Sequence, residues 1–370
     1  MRLALIGAFP FPYPQGSQVY FGQQRDALRR AGADPIAITY PGQHARGQRA
    51  RSGPNLSKPF ADAALLRALV KAHRQSPFEV VIAHNAEAAV VALTARTRIR
   101  VPVLYVAHTI LRHELPAYAS ERWQPLLDPV GGAIDAWISR RADGIIALSE
   151  DARTHLRLHA RCPIEIIPPG LEPAAPPTQA QQQRACRSIG LEPQSFVLYA
   201  GNLDSYQELE LLDEAAKRCR EQGIPFVVAT HDARDGAERF PNLTIAERSF
   251  AEIRALHFSA RVLLLSRRRR GGFPIKLLNY MEAGRPIVAF RQIAPGLEDG
   301  VNARLLDESA SAPEFASAIR ELWAEPALGE ELGDAARQHL LAHHDWNDLA
   351  ERTLAVAEAL ANGGRGGVRA

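Results

Sequence analysis

Cysteine is scarce in this chain: three residues in 370, Cys162, Cys186 and Cys219, widely spaced and without a CxxC pair. That excludes a disulfide framework or a thiolate zinc site as the organising device and fits a reducing compartment. Long hydrophobic runs are missing too, and no apolar stretch approaches the roughly 20 residues needed to span a bilayer. The opening run from Leu3 to Gly7 is too short for a signal-peptide core and is soon interrupted by Pro10, Pro12 and Pro14, so it reads as a first strand. Neither a heptad nor a residue-level repeat is present. Charge of one sign does not dominate, because 44 basic against 41 acidic residues leave a formal net charge of +3. The arginine run at Arg267 to Arg270 has no interleaved aromatics, which argues against nucleic acid as a partner. No Asp-x-Asp pair stands in a convincing loop, so no metal is expected.

What is present is an α/β alternation in two blocks. Apolar, β-branched runs at Leu3–Gly7, Pro35–Tyr40, Val80–His84, Val103–His108, Gly144–Ser149 and Ile164–Pro168 are separated by helical patterns. Strands apolar on both faces imply a parallel sheet covered by helices on both sides. Ligands of such sheets collect at the carboxyl ends of the strands, which places Gly16, His84, His108 and Ser149 on the functional edge. The proline, alanine and glutamine stretch from Pro168 to Gln183 breaks the pattern, and the alternation restarts with Phe196–Gly201, Phe226–Thr230, Leu243–Ala246, Val262–Ser266 and Ile287–Phe290. The expected organisation is therefore a domain over 1–170, a linker over 171–190, a second domain over 191–345, a C-terminal helix over 346–362 packing back on the first domain, and a flexible tail over 363–370.

The densest signal lies between Ser266 and Phe290. The strand end at Leu263, Leu264 and Leu265 is followed by Arg267, Arg268, Arg269 and Arg270, then by Gly271 and Gly272, then by Pro274, a residue favoured in a helix's first turn. Ile275, Leu278 and Met281 recur at helical spacing, and Gly284 and Pro286 end the helix. A helix N-terminus offers unpaired N–H groups and partial positive charge, and guanidinium groups beside it suit phosphate oxygens. Lys276 and Asn279, three residues apart, share a face of that helix.

The order of these elements and motifs resembles glycosyltransferase family four, the retaining nucleotide-sugar transferases of GT-B fold, in which two Rossmann-like domains face a cleft. Phe9-Pro10 to Gly16-Ser17-Gln18 is similar to the family's glycine turn after the first strand, where Gly16 and Ser17 approach the donor diphosphate. Tyr105-Val106-Ala107-His108-Thr109 is similar to the strand ending in a histidine that lines the sugar pocket, which implies a catalytic role for His108, with His84 nearby. Arg141 to Glu150 and Ile164 to Gly170 match fold markers in the family's order. Gly272 to Leu278 and Tyr280 to Ala289 resemble the donor-binding helix and the strand after it.

The chain departs from the family pattern at the paired glutamates, whose places fall on Gly271 and Asn279, and at the two cations usual after the first strand of the second domain, where Gly201-Asn202-Leu203-Asp204-Ser205-Tyr206-Gln207 has none. Asn279 can hydrogen-bond a ribose, and Arg267 to Arg270 with Lys276 are the available replacements for the missing charge. The resemblance implies a nucleoside diphosphate sugar donor on the second domain, with no cofactor beyond that co-substrate. It also implies a glycan or lipid-linked acceptor on the first domain, with His84, Asn202, Glu114 and Tyr118 as the donor and acceptor pocket set, and a role in cell-envelope polysaccharide or glycolipid synthesis. The clusters Arg46, Arg49, Arg51 and Arg96, Arg98, Arg100 suggest peripheral contact with the inner membrane face of a cytoplasmic enzyme. Two rivals stay open: a sugar-nucleotide epimerase of the same fold, which needs no acceptor, and a catalytically degenerate binding or scaffold subunit.

Overall fold

The computed structural model describes residues 1–12, 16–40, 58–118, 121–172, 174–203, 207–231, 239–270 and 272–366. They form two compact units. The first comprises Met1–Gly170 with Gly271–Phe273 and Asp345–Ala370, the second Leu171–Arg270 with Pro274–His344. Among the described residues no helix is long and apolar enough to cross a membrane.

The first unit holds six parallel strands, β1 (Arg2–Gly7), β2 (Asp34–Thr39), β3 (Val80–His84), β4 (Val103–Ala107), β5 (Gly144–Ala147) and β6 (Ile164–Ile166), in the order β2-β1-β3-β4-β5-β6. Every residue of β3, β4 and β5 is buried, as expected of strands covered on both faces. The reversal of strand order falls between β1 and β3, so the crevice beyond their carboxyl ends is the natural ligand position. Asp143 explains one fold marker: its carboxylate accepts from Val103 N at 2.9 Å and pairs with Arg96 at 2.6 Å, fixing the start of β4. Arg96 is thereby committed to the fold.

The second unit repeats the architecture with β7 (Val197–Ala200), β8 (Phe226–Thr230), β9 (Thr244–Glu247), β10 (Val262–Leu265), β11 (Ile287–Phe290) and β12 (Arg304–Leu306), in the order β12-β11-β10-β7-β8-β9. Its switch point lies between β7 and β10, which pair in parallel through Val197 with Val262 and Leu198 with Leu263. The order differs from that of the first sheet.

The structure adds to the sequence reading at three places. Residues 171–190 are not simply a linker, because Gln179–Arg187 is a helix opened by a capping box between Thr178 and Gln181 and seated through buried Ala185 and Cys186. A nine-residue helix with two buried side chains leaves almost no apolar period to read. The edge strand β12 has only three residues, too few for a pattern of its own. The C-terminal helix, Trp346–Gly366, continues past residue 362 into the glycines assigned to a tail. It packs on the first unit, where Trp346 is buried and donates from Nε1 to Gln23 Oε1 at 3.1 Å.

Candidate active site

At the carboxyl edge of the first sheet the chain turns from β3 into the helix Asn85–Ile99. Asn85 takes a left-handed φ of +72° while its Oδ1 accepts from Ala88 N at 3.1 Å, so the residue satisfies a helix-start donor in a conformation that asparagine tolerates better than most. This sharp turn fixes His84. His108 follows β4, and the two rings meet, with His84 Nδ1 and His108 Nε2 3.0 Å apart. Tyr20 stands edge-on to His108 and His84, with ring centroids at 4.7 and 5.9 Å, and Phe21 stands edge-on to His84 at 4.8 Å. Burial pushes the His108 imidazolium down to about 4, and burial followed by the neighbouring His108 holds His84 well below the ordinary range. Both rings are therefore neutral near pH 7, and His108 does not carry a stabilising charge.

Gly16 opens the helix Gly16–Arg30 and is exposed, and Ser17 Oγ donates to Gln18 Oε1 at 3.0 Å. The short helix Leu111–Glu114 is held from behind by buried Asp135, whose carboxylate accepts from Leu111 N at 3.2 Å and Arg112 N at 2.9 Å. Sequence reasoning missed Asp135, which gave no motif, only its place in a helical pattern. Glu114 turns back to accept from the Thr109 hydroxyl. Tyr118 lies in the turn Leu115–Tyr118, its side chain outside the described residues, as are Arg46, Arg49 and Arg51.

In the second unit, Lys276 rather than the whole arginine run reaches the switch point. From the first turn of the helix Lys276–Ala283 its Nζ donates to Tyr199 Oη at 3.0 Å and Gln207 Oε1 at 3.3 Å, and lies 4.4 Å from the Tyr199 ring centre. Gln207 in turn donates to Asn202 Oδ1 at 2.8 Å, and Tyr199 Oη donates to Asn202 O at 3.1 Å. A Cβ on Gly201 (φ +154°) would lie 2.5 Å from Lys276 Nζ, so glycine makes room for the ammonium at the end of β7. This is where the sequence lacks its expected cations. Buried Tyr280 supports the arrangement from below: Ala200 N donates to its hydroxyl at 2.9 Å, and the hydroxyl donates to Leu264 O at 3.2 Å, joining β7 to β10.

The arginines divide. Arg268 bonds the Ala310 carbonyl, pairs with Glu208 at 3.3 Å and covers the Phe290 ring at 4.9 Å, so its guanidinium is committed to packing. Arg267 is half-buried, and Arg269 and Arg270 are exposed. Gly272 has φ +100°, a backbone that requires glycine, and Gly271 lies outside the described residues. Asn279, half-buried, sits one turn beyond Lys276.

Two Rossmann-like parallel sheets, each with its candidate residues at a switch point, are the architecture of the GT-B fold. Solved structures agree over nearly the whole chain. Sucrose-phosphate synthase from Thermosynechococcus elongatus superposes with a TM-score of 0.76 at 19% identity, covering 98% of this chain and 99% of that one. HepE of Anabaena, solved with UDP and glucose, gives 0.75 at 15% identity, covering 97% and 100%. WaaG, a glycosyltransferase involved in lipopolysaccharide biosynthesis, gives 0.66 at 14%, covering 97% and 99%. Residues 14–175 match Glycosyltransferase Family 4 and residues 194–325 match Glycosyl transferases group 1, and the chain belongs to this family-four type of glycosyltransferase. A D-inositol 3-phosphate glycosyltransferase from Geodermatophilus obscurus is 25% identical, over 81% of this chain and 70% of its own length.

Proposed function

We propose that the enzyme transfers a sugar, with retention and without a metal, from a nucleoside diphosphate sugar to a glycan or lipid-linked acceptor of the cell envelope, working at the inner membrane face. The observation that carries the donor assignment is the placement of Lys276 beside Gly201 and Asn202, an ammonium next to a helix N-terminus at the β7/β10 switch point. The structures of HepE in complex with UDP and with UDP-glucose support the same donor class.

In this reading the glycosidic bond of the donor breaks with its electron pair passing to the diphosphate. Lys276, backbone N–H groups and the exposed Arg269 and Arg270 stabilise that charge, Asn279 takes the ribose, and His108 hydrogen-bonds the sugar. The acceptor oxygen forms the new bond on the same face, and its proton passes to the departing diphosphate.

An apolar cavity in the first unit supports an amphiphilic acceptor. It has a volume of about 320 Å³ and is lined by Leu66, Val91, Leu111 and Ile134, with Asp62 and Glu87 as its carboxylates. Burial pushes Glu87 above the ordinary carboxylate range against the pull of Lys58. Five of the ten exposed large apolar residues among those described, Phe60, Val90, Trp123, Leu126 and Val130, lie on the helices bordering this cavity or in the turn leading into one. Exposed apolar side chains on the elements that border an apolar cavity suit a membrane surface.

A thermal-shift and turnover screen across UDP, GDP, ADP and TDP sugars, with and without EDTA, tests the reading. One nucleotide class should raise Tm, and turnover with an amphiphilic acceptor should survive the chelator. Turnover of the donor alone to an epimeric sugar nucleotide, or no stabilisation by any of the four, would overturn it.

A further inference from the structure

The two buried histidines share one proton-bearing contact, and its direction decides what His108 offers to a ligand. At 3.0 Å between His84 Nδ1 and His108 Nε2, one proton must lie between the two nitrogens, since two lone pairs or two N–H groups would repel. With both rings neutral, two arrangements remain. If His108 Nε2–H donates, His84 keeps its other proton on Nε2, and His108 turns a bare Nδ1 outward. If His84 Nδ1–H donates, His84 Nε2 is bare and His108 carries its proton on Nδ1.

The environment of His84 chooses between them. His84 is fully buried, its Nε2 has no hydrogen-bond partner, and the rings of Tyr20 and Phe21 stand edge-on to the imidazole. An orphaned N–H in such a place is among the rarest defects of folded proteins, and an aromatic face recovers only a fraction of the lost bond. A bare nitrogen strands no proton among the ring edges. His108 keeps 8% of its surface accessible, which leaves its outer edge open to a ligand.

We infer that His84 is a positioning residue: by donating from Nδ1 to His108 Nε2 it fixes His108 as the Nδ1–H tautomer, so that His108 presents a neutral hydrogen-bond donor to an oxygen of the substrate. This rests on the reading of His108 as a sugar-pocket residue and deepens it. His108 then selects a ligand with an acceptor oxygen at that point and takes no proton from it. The left-handed turn at Asn85 and the edge-on Phe21 hold the His84 ring in place.

The test is long-range proton–nitrogen NMR of the ¹⁵N-histidine-labelled protein at pH 7, with the ring signals assigned by through-bond correlation in the native protein and His84→Met and His84→Gln used for comparison. The expected spectrum gives His108 a protonated Nδ1 and a bare Nε2, the reverse of the tautomer that free histidine favours. His84→Met should release His108 toward the Nε2–H form and lower kcat by about tenfold with little change in donor KM. His84→Gln, whose amide can still donate, should restore part of both signals. A native spectrum with His108 protonated on Nε2, or with either ring charged at pH 7, overturns the inference without requiring either variant to fold. The expected tautomers in a protein that transfers no sugar would instead overturn the transferase reading and leave the His84 assignment standing.

Discussion

Replacing Lys276 with methionine keeps the packing of the side-chain stem and removes the ammonium, which isolates its charge. Nζ is held by Tyr199 Oη at 3.0 Å and Gln207 Oε1 at 3.3 Å, so the cation is preplaced and loses little side-chain freedom when a phosphate arrives. One charge-assisted hydrogen bond of this kind contributes about 1.5–3 kcal/mol, which corresponds to a dissociation constant roughly 10- to 150-fold weaker. Calorimetric titration of the stabilising nucleoside diphosphate measures that loss. The matching nucleoside, which lacks phosphate, should bind both proteins alike. Arg268→Met is the control. It breaks the Glu208 pair and the Ala310 contact, lowering stability by about 1 kcal/mol, yet should leave diphosphate affinity within twofold. Wild-type affinity in Lys276→Met, or an equal loss in Arg268→Met, would refute the assignment of the switch-point ammonium to the diphosphate.

Two further outcomes follow from buried groups. Gly131→Ala should destabilise the first unit by about 1–3 kcal/mol, read as a lower urea midpoint, because a Cβ there would lie 2.5 Å from Leu111 O and 2.8 Å from Arg112 Cα. Acid should weaken the fold between about pH 6.5 and pH 4: burial pushes His108 to about 4, His257 to about 3 and His84 well down, so the unfolded chain takes up protons that the native chain refuses. Each such histidine supplies stability that is present above its unfolded value and lost as pH falls toward its folded one, at up to about 1.4 kcal/mol per pH unit. His257→Leu should make the decline of Tm between pH 7 and pH 5 shallower and cost nothing at pH 7, since both His257 ring nitrogens lack a partner; an unchanged slope would contradict this.

The sheets were legible because their strands are apolar on both faces and end at turn residues, as β3 and β10 illustrate. Residues 179–187 and β12 were not, because a single buried face a few residues long leaves no period to detect. In the candidate site, His84, His108 and Lys276 stood out by type and by place at strand or helix ends. Their partners did not. The contact between His84 and His108 depends on adjacent strands in register, and the commitment of Arg268 depends on Glu208 and Ala310, which are far from it in sequence. Four consecutive arginines look alike in a sequence, whereas the backbone after β10 turns Arg267 and Arg268 partly inward and leaves Arg269 and Arg270 exposed.

The return of the chain to its first unit has a consequence for synthesis. Trp346 is buried against Tyr20, with ring centroids 5.1 Å apart, and Arg352 bonds the Ile166 carbonyl, so the first unit lacks one of its packing helices until the residues after His344 have been made. The second unit, contiguous but for three residues, is complete earlier. The second unit is therefore whole in sequence before the first, and a chain cut before Trp346 would leave Tyr20 without this ring against it, an exposed apolar face of the kind that chaperones and proteases engage.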